Sequence, residues 1–397
     1  MTTSQDELPS LAAESEGLLR LRPSTLLRGL QERAPICRVR TPAGDEAWLV
    51  TRYAEVKQLL MDERIGRSHL DPPSAPRYVD NPLLDMLIIP DHDAAREAHK
   101  QTRSWLAPNF TARRVLNLKP RVEEIASSVL DSFAESERPA DLHGGFSFPF
   151  ALLVLCELIG VPLEERGRIL EPLEQMGGVD DRDGAEGGMG AIFAYAAELG
   201  ARKREKPGED VISRMVQNGA TDEQVGPIAA NLLFAGLESV ASHIDLGVAL
   251  LSSNPDQRDA ALSDHQHLTN AVEEILRAAK AGGSALPRYA SEDIEIGGVT
   301  IRAGDLVLID FTLANFDSQA FDEPTRFDVT RSPNAHLTFA HGIWHCIGAP
   351  LARVQLQVAF STLFTRLPDL TLAIPVSDLH MRGSGLADGL GGLPVTW

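Results

Sequence analysis

Cys346 is one of three cysteines in 397 residues, and its surroundings set it apart from the other two. It stands within Phe339-Ala340-His341-Gly342-Ile343-Trp344-His345-Cys346-Ile347-Gly348-Ala349-Pro350-Leu351-Ala352-Arg353, a glycine-punctuated turn where a helix begins. The unpaired N–H groups and positive dipole end of a helix start favour the thiolate, which is the form that binds metals. Gly342 and Gly348 suit a backbone that folds tightly around a sulfur. His341 and His345, four apart beside Cys346, also raise zinc as a reading. No second Cys or His cluster completes a tetrahedral set at the usual spacing, and Gly342 argues against a helix there.

A second candidate lies in Ala235-Gly236-Leu237-Glu238-Ser239. Thr221-Asp222-Glu223-Gln224 reads as a capping box, and the segment after it stays apolar on nearly every face up to Pro255. Such a helix must cross a core, spanning on the order of 50 Å at 1.5 Å per residue. A carboxylate and a hydroxyl buried inside it need hydrogen-bond partners or cost several kcal/mol each, about 2–7 by transfer scales. Glu238 and Ser239 are therefore functional candidates. His99 and Arg103, four apart, share one helix face, as do Glu274 and Arg277.

The elements that must position these residues are mostly helical. The first 30 residues read as a polar arm with a short helix. Alternation from Cys37 to Thr51 around Pro42-Ala43-Gly44-Asp45 predicts a β-hairpin, followed by a helix from about Ala54 to Met61 and a Pro-rich loop. Helices are expected over about Asp91–Leu106, through most of 116–160, and over 221–280. Glycines and the Asp180-Asp181-Arg182-Asp183 run predict a mobile loop between Met176 and Gly190, with helix resuming from about Ala191 to Arg204. Ile294 to Ile301 reads as a hairpin across Gly297-Gly298. The expectation is a mainly α chain with a small β portion, forming a single domain over 1–397.

Composition narrows the function classes. Thirty-seven basic against 56 acidic residues give a formal net charge of −19, which disfavours nucleic acid as a partner. Three scattered cysteines, Cys37, Cys156 and Cys346, offer no disulfide framework. The polar, acidic N-terminus suggests neither signal peptide nor membrane anchor, so the expected location is the cytoplasm.

The motifs together, in order from about residue 35 to the end, resemble the cytochrome P450 family. The resemblance implies the P450 fold and a soluble bacterial-type haem-thiolate monooxygenase. Its cofactor would be haem b, with Cys346 as axial ligand of the iron. Phe339, Gly342, Trp344 and Gly348 would belong to the haem-binding loop, and Ala235 and Gly236 to the helix over the distal haem face. Glu238 and Ser239 match the acid–alcohol pair of oxygen activation, with serine in place of the usual threonine. Gly236 would leave room for O2 and loosen the helix. His99 and Arg103 resemble the pair that binds haem propionates, and Arg288 a further propionate arginine. Glu274, Arg277 and Arg326 match a buried ion-pair network that braces the haem side.

Two departures stand out. Trp344 occupies a position where histidine or arginine usually meets a propionate, and can offer only an uncharged indole N–H. Ala340 stands where glycine or serine is common.

The resemblance further implies O2-dependent hydroxylation or epoxidation of a hydrophobic small molecule in secondary metabolism. Electrons would come from a ferredoxin or flavodoxin with its NAD(P)H reductase, with Arg96, Lys100, Arg103, Arg113 and Arg114 as a docking patch on a monomer. An oxidative coupling or ring-closing enzyme, or a haem-free helper protein of the same fold, are the other readings. Loops at about 66–90, 170–190, 281–286 and 383–392 are expected to line or gate the substrate pocket, with Leu232, Ala235 and Gly236. Ala281-Gly282-Gly283-Ser284 is expected to make part of that wall adaptable.

Overall fold

The computed structural model describes residues 8–11, 23–279, 285–382, 386 and 389–397. Most of the expected N-terminal arm, the Ala281–Ser284 wall and much of the 383–392 loop lie outside the described residues.

A helix over Asp222–Ser253 runs through the molecule, opened by the expected capping box, in which Thr221 N–H donates to the Gln224 side chain at 3.0 Å. Its apolar faces are covered by the helices Phe148–Ile159, Arg182–Glu205 and Ala349–Arg366, and together these form the main core. Although this central helix is long and apolar enough to cross a membrane, most of its apolar stretch is buried inside the chain.

The β portion is a five-stranded sheet with the strand order Ile36–Arg40, Glu46–Val50, Leu306–Ile309, Leu286–Ala290, Ile65–Gly66. Its first two strands are the predicted hairpin, with Ile36 opposite Val50 and Arg40 opposite Glu46. The strand Leu306–Ile309 is buried throughout, as a strand covered on both faces must be. It fixes Arg288 opposite Val307 in the neighbouring antiparallel strand. The Ile294–Ile296 and Val299–Ile301 hairpin also forms as predicted, with Gly297 and Gly298 at positive φ.

The segment from Met176 to Gly190 differs from the sequence expectation. One helix covers Gly167–Gly177, and after four residues a second covers Arg182–Glu205. The acidic run is the cap of the second helix: Asp181 accepts from Gly184 N–H at 3.0 Å. Arg182 then pairs with Asp80, Asp85 and Glu186. Glycine costs a helix about 1 kcal/mol relative to alanine, but one of these glycines allows the two helices to touch. A Cβ on Gly188 would lie 2.5 Å from the Pro172 carbonyl oxygen and 2.8 Å from Met176 N.

Candidate functional site

The cysteine loop is built on a strained backbone. Ala340 has φ 55° and Gly342 φ 61°, both in the left-handed region. Ala340 thus occupies a conformation that costs an L-residue roughly 1–2 kcal/mol, which accounts for the preference for glycine there. A Cβ on Gly342 would meet the Leu60 carbonyl oxygen at 3.1 Å. Gly348 differs: its φ is −79°, and a Cβ there would sit 3.8 Å from Cys346 Sγ, an ordinary contact. Glycine is therefore demanded at position 342, by its φ and by the Leu60 carbonyl rather than by the sulfur, and not at 348.

Cys346 N–H donates to the Phe339 carbonyl at 2.8 Å and closes the loop. The following helix, Ala349–Arg366, begins beneath the sulfur, which accepts the backbone N–H groups of Gly348 and Ala349. Burial pushes the thiol pKa up and outweighs those two donors and the charges of Arg103 and Arg353. Among the described residues no three His, Cys, Asp or Glu side chains converge as a metal-holding set, so His341 and His345 do not complete a zinc site with Cys346.

On the central helix, Ala235 is exposed and Ser239 half-buried, although Leu232, Leu233, Leu237 and Val240 around them are buried. Four residues apart, Ala235 and Ser239 lie on one face of that helix. Ser239 Oγ donates to the Ala235 carbonyl at 2.6 Å. Gly236 does not open space: Leu155 fills the position, and a Cβ would lie 2.9 Å from its Cδ2. Its function is close packing of the Phe148–Ile159 helix. Glu238 is ion-paired with Arg382, accepts from Ser242 Oγ at 3.1 Å, and is roofed by Gly389, where any Cβ would collide with the carboxylate. Beyond it, the fully buried Asp245 accepts from His143 Nδ1 at 2.6 Å and from Ser147 Oγ at 2.5 Å.

A second cluster gathers at Trp344. The guanidinium carbons of Arg288 and Arg67 lie 4.5 Å and 5.6 Å from its ring centroid, and the His99 ring lies 4.6 Å away. Burial pushes the pKa values of Arg288 and Arg67 down, and for Arg288 the neighbouring charge of Arg67 adds to the effect. Trp344 Nε1 and Arg288 Nε are buried without a hydrogen-bond partner. Among the described residues neither arginine has a carboxylate in salt-bridge reach. Enclosed cations with no counterion and an orphaned N–H fit a ligand that brings carboxylates of its own. His99 and Arg103 reach the same region differently: His99 Nε2 bonds the Ile343 carbonyl at 3.1 Å, and Arg103 donates to that of His345 at 2.9 Å. Their bonds in the structure hold the cysteine loop.

The loop is braced from behind. Glu274 and Arg277, both fully buried, form a bidentate pair at 2.8 Å. The second arginine on Glu274 is Arg331, whose Nε lies 3.2 Å away, and not Arg326. The Arg326 side chain points outward to Glu323 and only its carbonyl meets Arg277, because the chain turns between residues 326 and 331. Next to this, Arg353 and His336 overcome the burial of Glu273 and hold its carboxyl at about 2. Arg353 also stacks on Phe339, with its guanidinium carbon 4.6 Å from the ring centroid.

Sequence reasoning missed Arg67, Arg331, Arg382 and the His143–Asp245 pair. Only Asp245 carried a signal, as a second acid inside an apolar helix.

Comparison with known proteins follows this geometry. Residues 201–368 match the family described as Cytochrome P450. Pentalenolactone synthase of Streptomyces exfoliatus is 39% identical over 401 residues, spanning 99% of this chain and 100% of its own length. Mycinamicin IV hydroxylase/epoxidase of Micromonospora griseorubida is 38% identical over 384 residues, covering 93% of this chain and 94% of the relative. Among solved structures, that of substrate-free PimD, a polyene macrolide antibiotic pimaricin epoxidase, superposes with a TM-score of 0.91 at 55% identity, covering 99% of this chain and 100% of that one.

Proposed function

The chain belongs to the cytochrome P450 family and is a P450 monooxygenase of secondary metabolism, and from that premise we propose that it epoxidises or hydroxylates a polyene macrolide. The observation that carries the cofactor part is the pairing of Cys346, whose sulfur meets two backbone N–H groups, with the counterion-free cations around Trp344. The substrate class rests on the 55% identity to a pimaricin epoxidase.

Haem b fits these residues. Cys346 would take the iron. The N–H groups of Gly348 and Ala349 would orient the sulfur and temper its donation, as outer hydrogen bonds do for metal ligands. Arg67, Arg288 and the Trp344 indole N–H would receive the propionates, while His99 and Arg103 hold the loop. Phe339, pinned by Arg353, would pack beside the sulfur. The chemistry supplied by bound haem is two-electron, two-proton reduction of O2, with one oxygen atom passing to the substrate and the other leaving as water.

The protein's own part is to deliver protons and exclude stray water. Ser239 Oγ, held in one rotamer by its bond to the Ala235 carbonyl, would present its free lone pairs to the oxygen site on the exposed face of its helix. Glu238, clamped by Arg382 and Ser242, would be the acid that passes protons inward from the half-exposed Arg382 side. Buried Leu232, one turn before Ala235 and Gly236, would keep that part of the wall apolar.

Electrons come from a separate ferredoxin or flavodoxin with its NAD(P)H reductase. Arg113 and Arg114 remain as surface cations for that partner, whereas Lys100 is paired with Glu97, Arg96 with Glu63, and Arg103 holds the His345 carbonyl. The enzyme acts as a cytoplasmic monomer.

The test is turnover of the alkene precursor of pimaricin, that is, pimaricin without its epoxide, by the haem-loaded protein with a reduced ferredoxin system under isotopically labelled O2. A product carrying one labelled oxygen atom is expected. Absence of labelled product from polyene macrolides, with labelled product from a terpenoid lactone, would overturn the substrate class.

A further inference from the structure

Serine at position 239 poses a physical problem that the structure answers. The β-methyl of threonine restricts χ1 strongly, whereas a serine hydroxyl in a helix can turn among its wells. A hydroxyl that must act on one oxygen site needs its direction fixed. The Ser239 Oγ bond to the Ala235 carbonyl, at 2.6 Å, sets one rotamer. One turn further on the same face, His243 Nδ1 lies 2.6 Å from the carbonyl oxygen of Ser239 itself.

A carbonyl only accepts, so His243 carries its proton on Nδ1 and a lone pair on Nε2. Among the described residues that buried Nε2 has no partner, and His243 is only 7% exposed. Burial first, and then nearby His336, hold the imidazole pKa below its usual value against the opposing bond to Ser239, so the ring is neutral. A buried imidazole with an unmet nitrogen weakens a core that leucine or methionine would fill without cost. The flanking Ala241, Ile244 and Leu246 are apolar and buried. Packing alone therefore does not account for histidine here. Its one hydrogen bond does.

We propose that His243 is a positioning residue for Ser239: its Nδ1–H ties down the Ser239 carbonyl and so fixes the direction of the hydroxyl that in threonine a methyl would fix. The two bonds form a ladder along one stripe of the helix, His243 to Ser239 and Ser239 to Ala235. The proposal rests on the reading of Ser239 as the hydroxyl that serves oxygen activation.

The experiment measures product and hydrogen peroxide per NAD(P)H consumed with the alkene precursor of pimaricin, in the haem-loaded wild type and variants. H243→Phe, which keeps the ring but loses the donor, should lower product per NAD(P)H about fivefold, the effect of one lost hydrogen bond, and raise peroxide correspondingly. Substrate affinity and melting temperature should change little. H243→Asn, whose amide can replace the Nδ1 donor, should retain most of the coupling. S239→Thr placed in the H243→Phe background should restore it.

S239→Ala alone tests the underlying reading: unchanged coupling there would remove the role of Ser239, whereas a loss there with H243→Phe fully coupled would remove the role of His243 alone. A second measurement does not depend on substrate. Crystal structures should show one Ser239 rotamer in the wild type and split conformers in H243→Phe, and a single unchanged rotamer in the variant would overturn the proposal.

Discussion

Trp344 is one of two departures from the family motif, and its surroundings show what the indole meets. The indole replaces a charged side chain, but it brings an N–H that is buried and unpartnered, and its ring packs against Arg288, Arg67 and His99. Under the proposed haem reading, Arg67, whose guanidinium carbon lies 5.6 Å from the Trp344 ring centroid, would supply the positive charge that histidine or arginine brings there. W344→Phe should keep the ring contacts and lose only the N–H. Haem should then dissociate about fivefold faster, as follows from a lost hydrogen bond of roughly 1 kcal/mol, measured by transfer to an excess of apomyoglobin. An unchanged rate would mean that the indole N–H meets no propionate.

Trp344 was legible in the sequence both as a departure and as a donor, because it sits at a fixed offset from Cys346. Arg67 was not, since a lone arginine in Arg64-Ile65-Gly66-Arg67-Ser68 has no partner in spacing and gains its meaning only where the strand Ile65–Gly66 pairs with Leu286–Ala290. Ala340 belongs to the legible group. The sequence showed it as a departure, and its φ of 55° adds a backbone demand that the sequence reading did not draw.

At the scale of elements, the sequence spoke clearly where one physical signal dominated. The central helix announced itself by its capping box and unbroken apolarity, and the hairpins by alternation around turn residues. It misled at 176–190, because glycine is read as a breaker when its neighbours in space are unknown. Gly188 is in a helix because Pro172 and Met176 leave no room for a side chain. G188→Val should therefore destabilise the fold by about 1–3 kcal/mol, the usual range for overpacking a tight contact, seen as a lower midpoint in urea unfolding. G187→Ala is the control: open space surrounds Gly187, so removing its backbone freedom should leave stability unchanged or raise it. Equal behaviour of the two variants would refute the close helix contact. The exchange of Arg326 for Arg331 has the same origin, for spacing locates a bracing arginine only to within the turn that carries it.

Across the whole molecule, the candidate site is assembled from segments far apart in the chain. Arg382 reaches Glu238 over 144 positions, His143 reaches Asp245 over 102, and His99 meets the cysteine loop over 244. Nothing in local pattern encodes the first two pairings, which depend on how the C-terminal loop and the turn His143–Ser147 pack on the central helix. The third was not read either: the resemblance gave His99 a propionate, whereas its hydrogen bond in the structure falls on the Ile343 carbonyl.

What unites these parts is one claim: Cys346, on a strained loop at a helix start, ligates iron in a haem whose carboxylates satisfy Arg67, Arg288 and Trp344. The absorption spectrum of the purified, reduced protein under carbon monoxide tests it most directly. The account predicts a strongly red-shifted Soret band, which thiolate ligation produces. A colourless protein, or well-folded haem protein with the band of a neutral ligand, would contradict it.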